Sequence, residues 1–518
     1  MRVTAAFRWL CDPASGAADR LVPRWLFLRA LGLIYFSAFF SLLFQIRGLI
    51  GPDGLLPAAT YLPAVSRAMG AARVWYAPTL LWLSTGNAAL MLLCGAGLIA
   101  SLLLVLNIWP RGMLAICFLA FLSFVTAAQD FSSYQSDGML LAAGLLALLL
   151  APPGLRPGWG ADRPPARAPL FLLLWEWFRI YFESGVAKLG GDPEWRHLTA
   201  MDHYYQNGPL PTWIGWYVQQ LPHTFHAATA LATLVLELGL VFLLFLPRRF
   251  RIAAFCIATP WQIGVILTAN YAFLNYLVLV LGVLLLDDRL LARVLPASWR
   301  PGVTAPPPPG PLSRGAALRL SLSAVLVAWL GYATTVPLIW MLGADLPLPA
   351  APIRVLEPFR VANSYGLFGR MTRGRYEIEF QGSNDGITWT AYPFRFKPQA
   401  LNAAPGIYAP YQPRFDWNLW FASLGNWRDY PFVVRTEELL LQNDPDVLAL
   451  FAGNPFPGAP PREVRAELWQ YWFTTPAERR TTGDWWRRTL LGLYAPELTH
   501  DANGRISVVA WPALPPRE

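Results

Sequence analysis

Four ionisable side chains lie within one apolar stretch of the chain, residues 170–188. Each ionisable group costs roughly 2.5–3.5 kcal/mol at the centre of a membrane-spanning helix on insertion scales, so such groups are rare there and need partners. Glu176, Arg179 and Glu183 are spaced at i, i+3 and i+7, which places them on one face of a helix. Arg179 can therefore neutralise both carboxylates. We interpret this membrane charge network as a buried set of ion pairs that fixes helix packing.

Lys188 ends the same stretch, on another face of the helix. It lines up with Trp177, Tyr181 and Ser184, at spacings of 11, 7 and 4 residues. In one interpretation the amine is partly desolvated and acts as a catalytic base or as an anchor for an anionic group, in which case Lys188 lines a cavity. In the other, Lys188 lies near the end of a span and extends its ammonium group to the outer membrane interface.

A second group of candidate side chains follows this stretch. It contains four of the five histidines and three acidic residues: His197, His203, His223, His226, Asp192, Glu194 and Asp202. A metal site needs three or four converging ligands, and His223-x-x-His226 is the only regular spacing in the group, so no metal site is predicted. The sequence has no Gly-x-Ser-x-Gly, His-Glu-x-x-His, phosphate-loop or dinucleotide-binding motif that would mark an active site.

The composition of the chain is that of a membrane protein. Of the 518 residues, 55% are hydrophobic and 14% are charged, whereas about 25% of the residues of an ordinary soluble protein are charged. The net charge is +9, and the excess lies in the first 344 residues because residues 345–518 carry 18 basic and 18 acidic side chains. Arginines on cytoplasmic loops explain this excess, so nucleic-acid binding is not predicted. The same composition argues against a simple soluble enzyme.

Nine stretches approach the roughly 20 apolar residues that a helix needs to cross a bilayer. They are residues 25–46, 86–107, 112–130, 138–152, 169–189, 226–246, 252–269, 271–286 and 320–342. When the N-terminus is placed in the cytoplasm, arginines occupy the inside segments, and the outside turns near 130–137 and 269–270 have none. Nine spans then place the C-terminal part outside the cytoplasm. Residues 305–311 are proline-rich and predict a stiff linker before the last span.

The predicted fold is therefore a polytopic α-helical membrane protein of about nine spans, followed by a C-terminal β-rich soluble domain. Residues 1–344 are assigned to the transmembrane body, and residues 345–518 to the extracytoplasmic domain. The change in charge density and the onset of period-two patterning support this division.

Within the C-terminal domain, alternating apolar residues predict strands at 376–380 and 392–396. The Gly-Ser-Asn-Asp-Gly cluster at 382–386 predicts a turn between them. Helices are expected near 437–451 and 462–473.

Aromatic side chains are dense in the C-terminal domain. Trp417, Trp420, Phe421 and Trp472 are the candidates for a surface that binds a partner. Core packing accounts for most of the aromatic residues in this domain. An outward-facing patch would suit the apolar surface of a partner protein or of membrane lipid.

The chain resembles the lipase maturation factor family over nearly all of its length. The segments that carry the resemblance are 134–138 and 184–196 in the membrane half, and 363–371, 375–378, 382–386, 409–417, 420–422, 453–457 and 471–474 in the C-terminal half. Eukaryotic members reside in the endoplasmic reticulum membrane and help secreted, homodimeric lipases to reach their folded, active state. The resemblance therefore implies a maturation factor that has no catalytic step and no cofactor. Its expected partners are a secreted lipase or other client protein and membrane lipid.

The expected setting differs from that of the eukaryotic members. The sequence has no Asn-x-Ser/Thr acceptor site, its C-terminal domain has no cysteine, and 39 of its 41 basic residues are arginine. These features predict a bacterial inner-membrane protein whose N-terminus is cytoplasmic and whose C-terminal domain is periplasmic.

The membrane body also shows a more distant resemblance, to the vitamin K-dependent γ-carboxylase and its relatives. In those proteins a Gly-Val-x-Lys-Leu segment carries a lysine base that deprotonates a hydroquinone, and residues 185–189 match this pattern. The resemblance implies an alternative function, a membrane enzyme that uses Lys188 as a base on a quinone or lipid-like substrate. Gly190 and Gly191 replace a more acidic continuation, and the C-terminal domain matches the maturation factors instead, so this alternative ranks second.

Overall fold

The computed structural model describes residues 2–297, 300–301, 313–344 and 346–513. The predicted linker at 305–311 lies outside the described residues, and so does residue 345 at the predicted domain boundary.

Helices dominate the described part of the chain before residue 345. They are α1 (Arg2–Cys11), α2 (Leu21–Leu43), α3 (Ile46–Ile50), α4 (Ala58–Met69), α5 (Arg73–Tyr76), α6 (Asn87–Val105), α7 (Pro110–Ala127), α8 (Gln135–Leu150), α9 (Arg167–Gly191), α10 (Pro193–Arg196), α11 (Met201–Asn207), α12 (Trp213–Gln219), α13 (His223–Leu238), α14 (Arg248–Thr268), α15 (Leu274–Gly282), α16 (Asp288–Leu291) and α17 (Arg314–Met341). Apolar residues dominate the long helices, and leucine and alanine, which favour helix, are frequent in most of them.

Each of the nine predicted spans coincides with a helical segment. Among the described residues, six helical segments are long and apolar enough to cross a membrane: α2, α6, α7, α13 with its 3-10 extension to Phe245, α14 and α17. Helix α8 and residues 274–285 are apolar but shorter, and α9 carries the ionisable residues. The prediction of a polytopic α-helical membrane protein is confirmed.

One end of the helix bundle is rich in arginine. Arg24, in the first turn of α2, donates hydrogen bonds to the backbone oxygens of Trp159 (2.8 Å) and Gly160 (2.9 Å), in the segment before α9. Arg248, at the start of α14, pairs with Asp287, which follows α15 (2.9 Å). The Asp288 carboxylate, next to Asp287, accepts hydrogen bonds from the backbone N–H groups of Leu21 (3.1 Å) and Val22 (2.8 Å). The segments that were predicted to lie inside therefore meet at a common end of the bundle, which we call the arginine-rich end.

The C-terminal region packs on the opposite end. The side-chain oxygen of Gln45, just after α2, accepts a hydrogen bond from the backbone N–H of Arg414 (2.7 Å). The Gln45 amide also donates to the backbone oxygen of Gln412 (2.9 Å). Asn270, which follows α14, accepts from the backbone N–H of Tyr408 (2.7 Å). The two ends of the bundle are thus chemically distinct.

The C-terminal region contains short helices and one sheet whose strands differ in length. Its elements are α18 (Ala351–Leu356), β1 (Arg375–Ser383), β2 (Thr390–Ala391), α19 (Arg414–Leu424), α20 (Pro431–Leu440), α21 (Pro445–Leu448), β3 (Glu463–Phe473), α22 (Pro476–Thr482), β4 (Trp486–Leu493), β5 (Glu497–His500) and β6 (Ile506–Ala510). The strand order is β2-β1-β3-β5-β6, β4 also pairs with β3, and the pairings are antiparallel. The prediction of a C-terminal β-rich region is confirmed.

Strand β1 and the turn that follows it agree with the sequence prediction. Residues 376–380 lie within β1. In the turn, the Asp385 carboxylate accepts hydrogen bonds from the backbone N–H groups of Ile387 (2.9 Å) and Thr388 (2.7 Å). Gly386 has a φ of +72°, which an L-residue rarely adopts, so its lack of a Cβ matters there.

Two element predictions in this region are wrong. Residues 392–396 form no strand, because Pro393 lacks the N–H that a sheet ladder requires. Residues 462–473 were expected to be helical, but 463–473 form β3, which pairs with β1 along its length. Apolar residues at alternate positions of β3 are buried, and this packing outweighs the local helix preference.

Helix α19 brings a carboxyl group into the interior of the C-terminal region. Asp416 accepts hydrogen bonds from the backbone N–H groups of Phe396 and Lys397 (both 3.3 Å). The Lys397 ammonium group pairs with a different carboxylate, that of Glu377 (2.9 Å). Burial raises the pKa of Asp416 to about 6, against the lowering effects of Lys397 and the backbone N–H groups.

This raised pKa predicts a pH-dependent stability. The folded pKa of about 6 lies above the unfolded value of about 3.9, so the folded state binds this proton more tightly and is favoured below about pH 4. The stabilisation, on the order of 3 kcal/mol, is lost as the pH rises through 6. We expect Asp416→Asn to raise the melting temperature at pH 7.5 and to flatten its decline between about pH 4 and 7. Thermal unfolding of the full chain in detergent measures both effects. Asp429→Asn, at an exposed carboxyl group, is the control, and equal pH profiles for Asp416→Asn and wild type would contradict the prediction.

Candidate functional site

The charged residues of α9 form a buried network. The Arg179 guanidinium donates to the Glu183 carboxylate (2.8 Å) and lies 3.5 Å from the Glu176 carboxylate. All three side chains are buried. The i, i+3, i+7 spacing thus brings these side chains together on one helix face. The site residues that were predicted from this spacing are in contact with one another.

The charge network of α9 also holds a segment from the C-terminal half of the chain. We call residues 363–371, which run across α9, the connecting segment. The second carboxylate oxygen of Glu183 accepts a hydrogen bond from the backbone N–H of Tyr365 (2.7 Å). Arg179 donates to the backbone oxygen of Asn363. Each charged group therefore has a partner, either in the connecting segment or in the network itself. These contacts dock the connecting segment onto the membrane body.

The segment directly after α9, which includes α10, continues this contact. The Asp192 carboxylate accepts a hydrogen bond from the backbone N–H of Met371 (2.8 Å). The indole N–H of Trp195 donates to the backbone oxygen of Phe368 (2.8 Å). Two stretches that carry the family resemblance, 184–196 and 363–371, are therefore held against each other.

A second buried ion pair joins the two halves of the chain. Arg414, the first residue of α19, forms two hydrogen bonds with the Asp137 carboxylate of α8 (2.8 Å each). It also donates to the backbone oxygen of Phe131 (2.6 Å). Both residues lie in stretches that carry the family resemblance, but their 277-residue separation gives no sequence signal that they pair.

Lys188 lies inside the molecule, on the opposite side of α9 from Arg179 and the charge network. Its side chain is buried, with the residue 3% exposed, which is not the position of a lysine that extends to the membrane interface. The ammonium group donates to both carboxylate oxygens of Glu237 in α13 (2.8 and 2.9 Å). It also lies 5.2 Å from the ring centre of Trp195. Lys188 is therefore held by a neutralising partner.

A cavity of about 300 Å³ surrounds this ion pair. It lies between α9, α13, α14 and α15, and Leu367 and Phe368 of the connecting segment line one side. Most of its lining side chains are apolar. The polar residues include Lys188 and Glu237, and a separate group formed by Tyr181, Gln262 and Asn275.

The second polar group is a chain of hydrogen bonds that ends without an acceptor. The Tyr181 hydroxyl donates to the side-chain oxygen of Gln262 (2.9 Å). The Gln262 amide then donates to the side-chain oxygen of Asn275 (2.8 Å). The Asn275 amide N–H₂ is buried and has no hydrogen-bond acceptor within the part of the chain that the structure describes. The cavity therefore contains an unused donor.

Sequence reasoning overlooked Glu237, Gln262 and Asn275. Glu237 is the single acidic residue within the apolar run 227–246, and a lone charge in a span is a signal for a buried partner. That signal was present in the sequence. Lys188, the partner of Glu237, lies 49 residues earlier in the chain, so the pairing could be identified only in the structure.

The four aromatic candidates occupy different environments. Trp417 is 8% exposed and packs with Tyr134 and Tyr271, at ring distances of 5.9 and 6.2 Å. Trp417 therefore offers almost no surface to a partner. Trp420 and Trp472 are half-buried, and Phe421 is 36% exposed.

Within the C-terminal region, exposed apolar residues are instead concentrated at the last described strand. Four of them lie in or directly after β6: Ile506, Val508, Val509 and Trp511. Among the described residues, β6 pairs only with β5, so its other edge carries unpaired backbone groups. The β-branched run is visible in the sequence, but its position at the sheet edge is not.

Comparison with known proteins gives matches in both halves of the chain. A family model described as the lipase maturation factor transmembrane domain matches residues 22–293, and one described as the lipase maturation factor C-terminal domain matches residues 361–496. The chain is 32% identical to lipase maturation factor 1 of Bos taurus, over 94% of this chain and 90% of that protein. It is 33% identical to lipase maturation factor 2 of Gallus gallus, over 90% and 80% respectively. It is 32% identical to lipase maturation factor 2 of Homo sapiens, over 93% and 83%. No solved structure matches the chain.

Removing Arg179 should loosen the connection between the two halves. Arg179→Met leaves the Glu176 and Glu183 carboxylates buried without their cation, which we expect to cost about 3–5 kcal/mol. Thermal unfolding in detergent, together with proteolysis within residues 363–371, measures the effect. Arg196→Met, at an exposed arginine just beyond α9, is the matched control and should change stability by less than about 1 kcal/mol. Equal behaviour of the two variants would show that the network does not hold the connecting segment.

Proposed function

The chain belongs to the lipase maturation factor family, and from this premise we propose that it assists the folding and assembly of secreted lipases while anchored in a membrane. The observation that carries the proposal is the match of both halves, in order, to the two domains of that family. Relatives named lipase maturation factor 1 and 2 match over at least nine-tenths of this chain in the cases given above. We further propose that the protein acts by binding its client, without a catalytic step.

The proposed orientation places the C-terminal region where a secreted client emerges. Arginine-rich loops are retained in the cytoplasm, and the arginine-rich end of the bundle lies opposite the C-terminal region. This arrangement supports a cytoplasmic N-terminus and an extracytoplasmic C-terminal region. The proposed membrane is the bacterial inner membrane, as the sequence composition suggests.

We propose that the edge of β6 contacts the client. An incompletely folded lipase exposes extended apolar segments, which are buried only when it folds. A strand edge offers backbone N–H and C=O groups to such a segment, and neighbouring side chains add apolar contact. The exposed residues Ile506, Val508 and Trp511 provide this combination. Of the aromatic candidates, Phe421 has the largest exposed fraction and is a second contact to test.

The alternative function is a membrane enzyme with Lys188 as its base. The specific observation in its favour is that Lys188 lines a cavity. Against it, both carboxylate oxygens of Glu237 hold the ammonium group, and a base must first lose that proton. The family relationship gives the carboxylase interpretation no support, so the folding factor remains the conclusion.

A charge-pair series distinguishes the two functions. Lys188→Met alone leaves Glu237 buried without a cation, which we expect to cost about 3–5 kcal/mol and to lower membrane abundance. The double variant Lys188→Met, Glu237→Leu removes both charges and should restore abundance. If the protein acts by binding, the double variant also restores the specific activity of secreted lipase in a deletion strain, at matched membrane abundance. If that variant is abundant but secreted lipase stays inactive, chemistry at Lys188 becomes the better account.

The client surface is tested by placing a charge on the strand edge. Val508→Lys should lower binding of an unfolded lipase about tenfold, which corresponds to roughly 1.4 kcal/mol, because the segment that docks there would have to bury an ammonium group. Pull-down of a purified, denatured secreted lipase by the full chain in detergent measures this. Ile387→Lys, at an 85% exposed apolar residue in another turn of the same region, is the control. Phe421→Ala tests the second contact in the same assay, and equal losses for Val508→Lys and Ile387→Lys would exclude the β6 edge.

A further inference from the structure

The lining of the cavity around Lys188 reaches the surface of the molecule on α13 and α14. Phe225 and Thr229 of α13, and Gly264 and Thr268 of α14, line this side. Phe225 and Gly264 are exposed. Both helices belong to segments that are long and apolar enough to cross a membrane. A molecule in the surrounding bilayer can therefore reach the cavity without passing through water.

The charges of the cavity cancel each other. Lys188 and Glu237 are the only basic and acidic lining residues among those that the structure describes. They form a two-point ion pair, so no unpaired cation is available for an anionic head group. The remaining lining is largely apolar, and this chemistry favours an uncharged ligand.

One polar group in the cavity is unused. The Asn275 amide N–H₂ has no acceptor within the described residues, and the residue is only 5% exposed. A buried donor without a partner is unfavourable, and a ligand oxygen that accepts its hydrogen bond removes that cost. The Asn275 oxygen is already occupied by Gln262, which leaves the amide free only as a donor. The matching ligand atom is therefore an acceptor, such as a carbonyl oxygen.

We propose that this cavity binds an uncharged membrane lipid through a carbonyl oxygen that accepts a hydrogen bond from the Asn275 amide. The cavity of about 300 Å³ is at the lower limit of small-molecule sites, so it holds the carbonyl-bearing end of the lipid. The tail leaves between α13 and α14 into the bilayer. Ester lipids such as diacylglycerol and isoprenoid quinones share this chemistry. The site is independent of the proposed client surface on β6.

Photolabelling of the full chain in phosphatidylcholine nanodiscs tests the site. The probe is a diacylglycerol with a diazirine group, and mass spectrometry locates the labelled peptides. We expect saturable labelling of the lining residues on α13 and α14, 225–237 and 260–268. Competition by unlabelled diacylglycerol identifies an ester lipid, and stronger competition by an isoprenoid quinone identifies that source. Competition by phosphatidic acid alone would overturn the proposal, because the anionic lipid would then be the ligand.

Two variants separate the cavity from the general lipid surface. Gly264→Leu adds bulk at the opening, where a Cβ meets no atom within 4 Å, and should reduce the saturable labelling at least about tenfold. Gly95→Leu in α6 has equally free space and should leave labelling unchanged. Asn275→Leu removes the donor and should weaken competition about tenfold, as expected for one lost hydrogen bond.

The negative outcomes are equally defined. Labelling that does not saturate, that lies outside the cavity lining, or that is the same in Gly264→Leu and wild type would overturn the proposal. Because peptide mapping on the wild-type chain already decides the location, a variant that fails to fold does not leave the site undecided. Lipid binding is read out directly, so the result does not depend on whether the β6 edge binds a lipase.

Discussion

A charge buried in a membrane protein is costly unless it is paired, and this cost shapes the junctions between the two halves of the structure. Arg179 lies in the interior of α9, and its two carboxylate neighbours neutralise it. Each carboxylate also has a partner outside α9, because the Tyr365 hydroxyl donates to Glu176 and the backbone N–H of Tyr365 donates to Glu183. That N–H belongs to the connecting segment. The electrostatic requirement of one helix therefore fixes where the C-terminal half attaches to the membrane body.

The same principle explains the second junction. Arg414 begins α19, and its guanidinium pairs at two points with Asp137, at the start of α8. Neither group could be buried without the other, because an unpaired buried charge costs several kcal/mol. A domain held by such pairs is less free to rotate than one held by a polar linker alone. The β6 edge is thereby kept on the side of the bundle that faces away from the arginine-rich end.

The sequence predicted what depends on local spacing. The i, i+3, i+7 pattern in α9 and the long apolar runs each follow from helix geometry, and the structure contains both. It did not predict the partners of Glu183 or Lys188, because Tyr365 and Glu237 are distant in the chain. The Arg-Ala-Glu-Leu run within β3 favours helix locally, but pairing with β1, which is distant in the chain, decides its structure. The burial of Trp417 is likewise a property of the assembled fold.

The two polar groups along α9 differ in one respect that separates structure from function. Arg179 and its carboxylates are satisfied by protein atoms, and such a closed network has nothing to offer a ligand. The chain from Tyr181 through Gln262 ends at a donor with no acceptor among the described residues. A hydrogen-bond donor without an acceptor in an otherwise apolar cavity lowers the stability of the folded protein. The cost is removed when a ligand supplies the missing oxygen, and the lining residues that reach the molecular surface on α13 and α14 mark the side from which a ligand in the bilayer would approach.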